Sequence, residues 1–99
     1  MKIVTKEDNF NELIKENLVL VDFFANWCGP CKMLTPHLEE LSEEFNVLKV
    51  DVDEHEELAR HYGIMSIPTL LLFKDGELID KKVGYQELAE LKAWLNSKI

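Results

Sequence analysis

The chain holds two cysteines, and the spacing between them is its most informative chemical feature. Cys28, Gly29, Pro30 and Cys31 follow a strongly apolar run and open a helical pattern. If Cys28 caps that helix, its sulfur accepts hydrogen bonds from backbone N–H groups of the first turn. These donors and the positive end of the helix dipole favour the thiolate over the thiol. The i, i+3 spacing puts both sulfurs on one face, within reach of a disulfide. The pair therefore predicts thiol–disulfide exchange, in which Cys28 attacks a disulfide and the less exposed Cys31 resolves the mixed disulfide.

A zinc or iron–sulfur site is the alternative interpretation of the cysteine pair. A closed structural zinc site needs four ligands, and the sequence has no second cysteine pair. The remaining candidates are His37, His55 and His61, of which the last two fall on a different predicted helix. Gly-Pro between the cysteines also suits redox chemistry better, because a proline in the first helical turn loses little and stiffens the loop. We expect no bound metal and solvated histidines.

Asp22 is the second candidate for chemistry, because it lies inside the most apolar predicted strand, between Val21 and Phe23. A buried carboxylate without a partner costs several kcal/mol, and the usual response is a raised pKa. We interpret Asp22 as the acceptor of the Cys31 proton during resolution. The alternative is a strand-edge carboxylate that faces solvent. Lys49, in a later strand, either reaches Asp22 or extends outwards.

Pro68 directly precedes a run of apolar residues, a position that proline tolerates only at the start of a strand. A cis bond between Ile67 and Pro68 would expose the Ile67 backbone for pairing with a substrate strand. Base rates for X–Pro bonds favour trans, so the residues alone leave both isomers open.

The elements that must position these residues alternate between strands and helices, in the order βαβαβαββα. The near-continuous apolar run at 18–25 is typical of a strand covered on both faces. Such an order predicts one mixed sheet with helices on both faces, whose strand ends meet at one edge, where sites form. The cysteine pair lies at that edge. The predicted strands span 3–4, 18–25, 47–52, 69–73 and 78–83, the last two joined by an Asp-Gly hairpin turn at 75–76.

Four helices are predicted between and after these strands. Thr5 is the expected N-cap of the first, and Asp53 with Glu56 forms a capping box that opens the third, which ends before Gly63. Pro36 interrupts the second helix, but the apolar stripe stays in phase, which favours one kinked helix. The inner faces consist of Phe10, Leu13 and Ile14 in the first helix, Leu34, Leu38, Leu41 and Phe45 in the second, and Leu88, Leu91 and Leu95 in the last.

Composition fits a single domain over residues 1–99 and excludes several classes of function. The chain has 99 residues, 46% of them apolar, and no run approaches the length of a membrane helix. A formal net charge of −8 repels phosphate backbones and anionic lipid surfaces, so nucleic-acid and membrane roles are not expected. The start lacks an apolar signal core, which predicts a cytoplasmic location. Cysteines there are kept reduced, so a purely structural disulfide is not expected.

The motifs together resemble the thioredoxin family. Residues 27–32 (Trp-Cys-Gly-Pro-Cys-Lys) are similar to its active-site motif, and residues 63–69 are similar to its cis-proline loop. Residues 74–76 and 83–84 resemble its later turns. The likeness runs from about 19 to 95, and the occurrence of all these motifs in order is highly specific.

The resemblance implies the thioredoxin fold, with a central mixed sheet and four flanking helices. It also implies a nucleophilic Cys28, a resolving Cys31, a buried acid at Asp22 and a nearby lysine, Lys49, that tunes that acid. A cis peptide bond at Pro68 is implied as well. The family's flat apolar substrate surface would consist of Trp27, Gly29, Pro30, Ile67, Pro68, Val83 and Gly84.

The partners implied by the resemblance are proteins that carry disulfides. A thioredoxin reductase, an NADPH-dependent flavoprotein, is the expected source of electrons, and the chain itself is expected to bind no cofactor and to act as a monomer. Three positions depart from the family pattern: Phe24 replaces a second tryptophan found in many members, the turn between Phe45 and Val47 is short, and Tyr85 follows Gly84 where a smaller residue is common.

Two other functions compete with a protein-disulfide reductase. A thiol oxidase or isomerase of an oxidising compartment is one, but isomerases of this fold typically carry histidine at the position of Pro30. A non-enzymatic binding subunit with incidental thiols is the other, and the presence of both cysteines with Asp22 and Pro68 argues against it.

Overall fold

A computed structural model describes residues 1–99, and its strands and helices follow the predicted order. The predicted hairpin is confirmed: Asp75 and Gly76 both have positive φ, 52° and 88°, as its tight turn requires. None of the helices combines the length and the apolar run needed to cross a bilayer. The elements are β1 (Lys2–Ile3), α1 (Phe10–Leu13), β2 (Val19–Phe24), α2 (Gly29–Leu41), β3 (Asn46–Asp51), α3 (Glu56–His61), β4 (Thr69–Lys74), β5 (Glu77–Val83) and α4 (Leu88–Asn96).

The strands form one five-stranded sheet in the order β1-β3-β2-β4-β5. β2 is central, paired in parallel with β3 and antiparallel with β4, and all six of its residues are buried. Its apolar side chains are covered on both faces, which is why the run reads as continuous and not alternating. The register sets Asp22 between Lys49 on β3 and Leu70 on β4.

The sheet separates two apolar layers. On one face, aromatic residues such as Phe23 and Phe73 pack with Phe10 of α1 and Tyr62 at the end of α3. On the other face, the leucines of α2 and α4 pack against β2, β3 and β4. This second layer fixes α2, whose first turn carries the cysteines, over the strand that carries Asp22. Its buried residues are Leu20, Leu34, Leu38, Leu41, Val47, Leu70, Leu72, Leu91, Trp94 and Leu95.

α2 is one helix from Gly29 to Leu41 with Pro36 inside it, as the phase of the apolar stripe predicts. The helix stops before Phe45, although Phe45 continues the stripe in the sequence. The Phe45 backbone N–H donates to the Leu41 carbonyl at 2.8 Å, and its side chain packs against the same layer from the following turn. A residue beyond a helix can therefore extend the apolar face of that helix.

Two predicted helix caps are wrong. Asn9, not Thr5, caps α1: the Asn9 side chain accepts the Glu12 N–H. The Thr5 N–H and hydroxyl both donate to the Asp8 carboxylate in a turn before the helix. His55, not Asp53, stands at the N-cap of α3 and makes no side-chain capping bond. The Asp53 carboxylate accepts the Trp27 indole N–H at 3.0 Å instead.

Candidate active site

Cys28 and Cys31 form a disulfide at the N-terminus of α2, with 5.3 Å between their Cα atoms. Cys28 is the N-cap residue, and its Sγ accepts the Cys31 backbone N–H at 3.2 Å, as the spacing predicts. Pro30 lies in the first turn, where no intrahelical N–H bond is lost. Both cysteines are nearly buried, and Cys31 is the less exposed. The helix end is thus arranged to stabilise negative charge on the Cys28 sulfur.

Asp22 is fully buried in the central strand, which excludes the alternative of a solvent-facing carboxylate. Neither of its carboxylate oxygens has a hydrogen-bond partner in the protein. Burial raises the pKa of Asp22 from 3.8 to about 7, and the positive charge of Lys49 opposes that rise. A carboxyl in this state can gain and lose a proton near neutral pH.

Lys49 points towards Asp22 and does not extend into solvent. Its Nζ lies 4.0 Å from Asp22 Oδ2, too far for a hydrogen bond, and its side chain is 9% exposed. The ammonium donates to Thr35 Oγ1 at 2.9 Å and lies 4.3 Å from the centre of the Phe24 ring. The lysine therefore acts on Asp22 through its charge, while its ammonium is hydrogen-bonded to Thr35 on α2.

The peptide bond before Pro68 is cis, as the resemblance implies. The Ile67 carbonyl oxygen lies 3.9 Å from Cys28 Sγ, so this loop flanks the disulfide. The Gly84 N–H donates to the Pro68 carbonyl at 2.8 Å, which joins the end of β5 to the same loop. The structure thus brings the predicted residues of 67–68 and 83–84 to one side of the sulfurs.

An apolar rim surrounds the disulfide. The Trp27 indole is 71% exposed beside Cys28 and is held by Asp53. Val83, on the other side, is also exposed. Next to Trp27 lies an open groove of about 340 Å³, in which serine is the one polar residue. The groove is lined by Trp27, Val52, Ala59, Ile64, Met65, Ser66 and Ile67.

Two residues near the disulfide, Met65 and Thr35, have no distinguishing signal of function in the sequence. Met65 is almost fully exposed at the groove, and nothing in its local sequence distinguishes it from a core methionine. Thr35 joins Lys49 to the Cys31 carbonyl, to which its hydroxyl donates at 3.1 Å. The i, i+4 spacing of Cys31 and Thr35 is the one signal that could have indicated this contact.

The histidines do not share a site, and two of them are only partly exposed and hydrogen-bonded within the protein, whereas solvated side chains are expected from the sequence. His37 Nε2 is hydrogen-bonded to the Tyr85 hydroxyl at 2.7 Å, and His55 Nε2 lies 3.0 Å from the Val4 carbonyl. His61 is exposed. No group of three or more His, Cys, Asp or Glu side chains is placed to hold a metal ion. A larger groove of about 730 Å³, lined mostly by polar and charged residues between the N-terminal segment and α3, contains no cysteine.

The sequence is similar over nearly its whole length to proteins of one family. The family model "Thioredoxin" matches residues 1–97. Thioredoxin from Chlamydia caviae is 50% identical over 99 residues, covering 97% of this chain and 96% of that protein. Thioredoxin from Bacillus subtilis is 46% identical over 104 residues and covers both chains completely.

Solved structures agree with the sequence comparison. A mutant thioredoxin from Halobacterium salinarum NRC-1 superposes with a TM-score of 0.90 at 42% identity, covering 96% of this chain and 87% of that one. Thioredoxin from Plasmodium falciparum gives a TM-score of 0.90 at 39% identity, with full coverage of both chains. These similarities confirm the predicted fold, a mixed sheet flanked by four helices.

Proposed function

From the premise that this chain belongs to the thioredoxin family, we propose that Cys28 is its nucleophile and Cys31 its resolving thiol. Membership makes the protein a dithiol–disulfide oxidoreductase that acts on disulfides of other proteins. The observation that carries the assignment is the position of Cys28 at the N-cap of α2, where its sulfur accepts the Cys31 N–H. Only Cys28 has this stabilisation of the thiolate, so it attacks first.

The reaction transfers two electrons from the dithiol to the substrate. The Cys28 thiolate attacks one sulfur of a substrate disulfide, forms a mixed disulfide and releases the other substrate sulfur as a thiolate. Cys31 then loses its proton and attacks Cys28 Sγ. The Cys28–Cys31 disulfide forms, the mixed disulfide breaks and the second substrate thiolate leaves.

Asp22 receives the proton that Cys31 loses in the second step, and Lys49 tunes the affinity of Asp22 for that proton. A pKa of about 7 lets the carboxylate accept a proton near neutral pH, which an ordinary aspartate does poorly. The charge of Lys49, 4.0 Å away, keeps that pKa from rising further.

The substrate binds across the exposed rim of the disulfide. Its extended chain pairs with the backbone beside the Ile67 carbonyl, which lies 3.9 Å from Cys28 Sγ, and its apolar side chains contact the rim. Gly29 leaves open space for the close approach, since nothing lies within 4 Å of the position that a Cβ would take there. The residues assigned to this surface are Trp27, Gly29, Pro30, Ile67, Pro68, Val83 and Gly84.

The partner that regenerates the dithiol is a thioredoxin reductase, a flavoprotein that draws electrons from NADPH. We place the protein in the cytoplasm, as a monomer whose residues 1–99 form one domain. One sheet with an apolar layer on each face supports the single domain.

Replacing each cysteine by serine tests the two roles. Cys28→Ser should abolish the catalysed reduction of insulin by dithiothreitol, because no thiolate remains at the helix end. Cys31→Ser should accumulate a mixed disulfide with insulin, which non-reducing electrophoresis and mass spectrometry detect.

Cys31→Ser carrying the second substitution Cys28→Ser is the matched control, and it should trap nothing. Full activity of Cys28→Ser, or trapping by Cys28→Ser in place of Cys31→Ser, contradicts the assignment.

A further inference from the structure

We propose that Thr35 is a positioning residue of the proton-transfer site, whose hydroxyl holds the Lys49 ammonium on α2 and away from direct contact with Asp22. This inference deepens the proposed function, because it concerns the same buried acid. It rests on the hydrogen bonds of one hydroxyl group.

The Thr35 hydroxyl has a partner on each side. It accepts from Lys49 Nζ at 2.9 Å and donates to the Cys31 carbonyl at 3.1 Å, which uses its single proton and one lone pair. Thr35 is partly buried on the second turn of α2, in the wall of a cavity of about 90 Å³ that Lys49 and Cys31 also line. One side chain thus connects the backbone of the resolving cysteine with the lysine beside the acid.

The position of Lys49 follows from a competition between two acceptors. Asp22 carries two oxygens without hydrogen bonds, and one lies 4.0 Å from the ammonium. A charge-assisted hydrogen bond to a carboxylate is stronger than one to a hydroxyl, yet the ammonium donates to Thr35. With Thr35 as its acceptor, the lysine lowers the proton affinity of Asp22 by charge at a distance and not by direct contact.

Without the hydroxyl, Asp22 remains as the one carboxylate within 4.0 Å of the ammonium. The Phe24 ring, 4.3 Å from Nζ, still attracts the charge. We therefore expect Lys49 to close on Asp22 and not to turn out into solvent. Direct contact favours the charged carboxylate, so the pKa of Asp22 falls.

Few other ionisable groups face Asp22. β3 contributes Lys49. On α2, Cys31 is held in the disulfide and does not titrate in the oxidised protein, and Lys32, which lines the small cavity with Lys49, is exposed. Leu70 is opposite on β4, and α4 adds leucine and tryptophan side chains to the layer on that face. Lys49 is the charge that acts on the Asp22 pKa, so a change in its position should be visible there.

The test is a titration of the Asp22 side-chain carboxyl by ¹³C NMR in the oxidised protein. Thr35→Val keeps the branched shape and removes the hydroxyl, and it should lower the Asp22 pKa by roughly one unit, a tenfold loss of proton affinity. Thr35→Ser restores the hydroxyl and should restore the wild-type value. A loss of packing alone would not be rescued by the smaller serine.

Further variants test whether the shift in the Asp22 pKa is specific to the Thr35 hydroxyl and whether it requires Lys49. Ser42→Ala removes another helix hydroxyl, which donates to the Glu39 carbonyl and does not contact Lys49, and it should leave the Asp22 titration unchanged. Lys49→Met should raise the Asp22 pKa, and adding Thr35→Val to Lys49→Met should then shift nothing more. An unchanged or raised pKa in Thr35→Val, or a shift that persists without Lys49, overturns the proposal.

The titration does not depend on the proposed role of Asp22 in the reaction. That role is read separately, from the pH dependence of the Cys31 attack on a trapped mixed disulfide. If the kinetic midpoint fails to follow the Asp22 pKa across these variants, Asp22 is not the proton acceptor, whereas the positioning by Thr35 is decided by the titration itself.

Discussion

At the scale of single residues, Asp22 is held in an environment that penalises its charged form. Its oxygens are buried and unpaired, and Lys49 compensates only from 4.0 Å. A group that is costly to the fold, on the strand that leads into the redox pair, is the kind of conflict that functional sites sustain. This is why the carboxyl, and not a histidine, is our candidate for the proton transfer.

Asp22→Asn should slow the resolving step at pH values above about 7, by roughly a hundredfold, because the amide cannot accept the Cys31 proton. The wild-type rate should rise with pH as Asp22 ionises, with an inflection near its pKa of about 7. The variant should lose that inflection. Stopped-flow reduction of a model disulfide over a series of buffers measures both effects.

Asp53→Asn is the matched control for this experiment. Asp53 is an exposed carboxylate near the disulfide, bonded to the Trp27 indole, and its removal should preserve the inflection near neutral pH. If Asp22→Asn keeps the wild-type profile, the proton leaves Cys31 by another route.

The sequence predicts much of the site because its local patterns carry chemical meaning. The spacing of Cys28 and Cys31 predicts the capped disulfide, and an aspartate within an apolar strand predicts burial. The contacts of Thr35 with Lys49, and of Trp27 with Asp53, join elements distant in the chain. No local pattern encodes such pairs, so they emerge only with the fold.

At the scale of elements, a side-chain hydrogen bond ties α2 to the segment between β5 and α4. His37 on α2 and Tyr85 in that segment are 2.7 Å apart, and the neighbouring Gly84 N–H donates to the Pro68 carbonyl. The helix of the cysteines and the loop of the cis-proline are therefore connected around the far side of the site. Tyr85, a departure from the family pattern, supplies this connection.

Tyr85→Phe should lower the free energy of unfolding by about 1 kcal/mol, because it removes one partly buried hydrogen bond. Tyr62→Phe is the matched control: Tyr62, the other tyrosine, packs among aromatic rings, and its hydroxyl makes no hydrogen bond within the protein. Its removal should change stability by less than about 0.5 kcal/mol. Urea denaturation of both variants measures the difference, and equal effects would show that the His37 contact contributes nothing.

Long apolar elements can be predicted from the sequence, whereas the residues that cap α1 and α3 cannot. Long apolar periodicities place β2 and α2 within a few residues, because burial dominates their formation. Helix caps depend on a single polar contact, and a tertiary partner can take that contact away. Asp53 is the example, since its carboxylate accepts the Trp27 indole N–H and α3 begins only after His55.

At the scale of the whole molecule, Asp22 couples stability to pH. Its pKa is 3.8 before burial and about 7 in the folded protein. Between these values the folded chain retains a proton that the unfolded chain has released, so stability falls as pH rises. The contribution is complete below pH 3.8 and is lost as pH rises through about 7, a change of about 4 kcal/mol.

Asp22→Asn removes this dependence, because the amide stays neutral in both states. The stability of the variant relative to the wild type should increase by a few kcal/mol between about pH 4 and about pH 8. Urea unfolding at a series of pH values measures this difference in the free energy of unfolding. A difference that stays constant with pH would show that the pKa of Asp22 is not raised in the folded protein.

Asp80 provides a comparison of opposite sign. Its carboxylate accepts the Trp94 indole N–H, and this bond with those to Lys81 and Lys98 lowers its pKa to about 2. Asp80→Asn should therefore destabilise the protein at neutral pH, and the loss should shrink as pH falls below about 4.

The two tryptophans, Trp27 and Trp94, lie where their fluorescence can report separately on the disulfide and on the packing of α4. Trp27 stands in water next to the disulfide, whereas Trp94 is enclosed between α4 and the sheet. A neighbouring disulfide quenches indole emission, so opening the sulfur–sulfur bond should brighten the red-shifted signal of Trp27 and leave the bluer signal of Trp94 unchanged. Because Phe24 replaces a further tryptophan, each band can be followed separately, one reporting electron transfer and the other the detachment of the last helix.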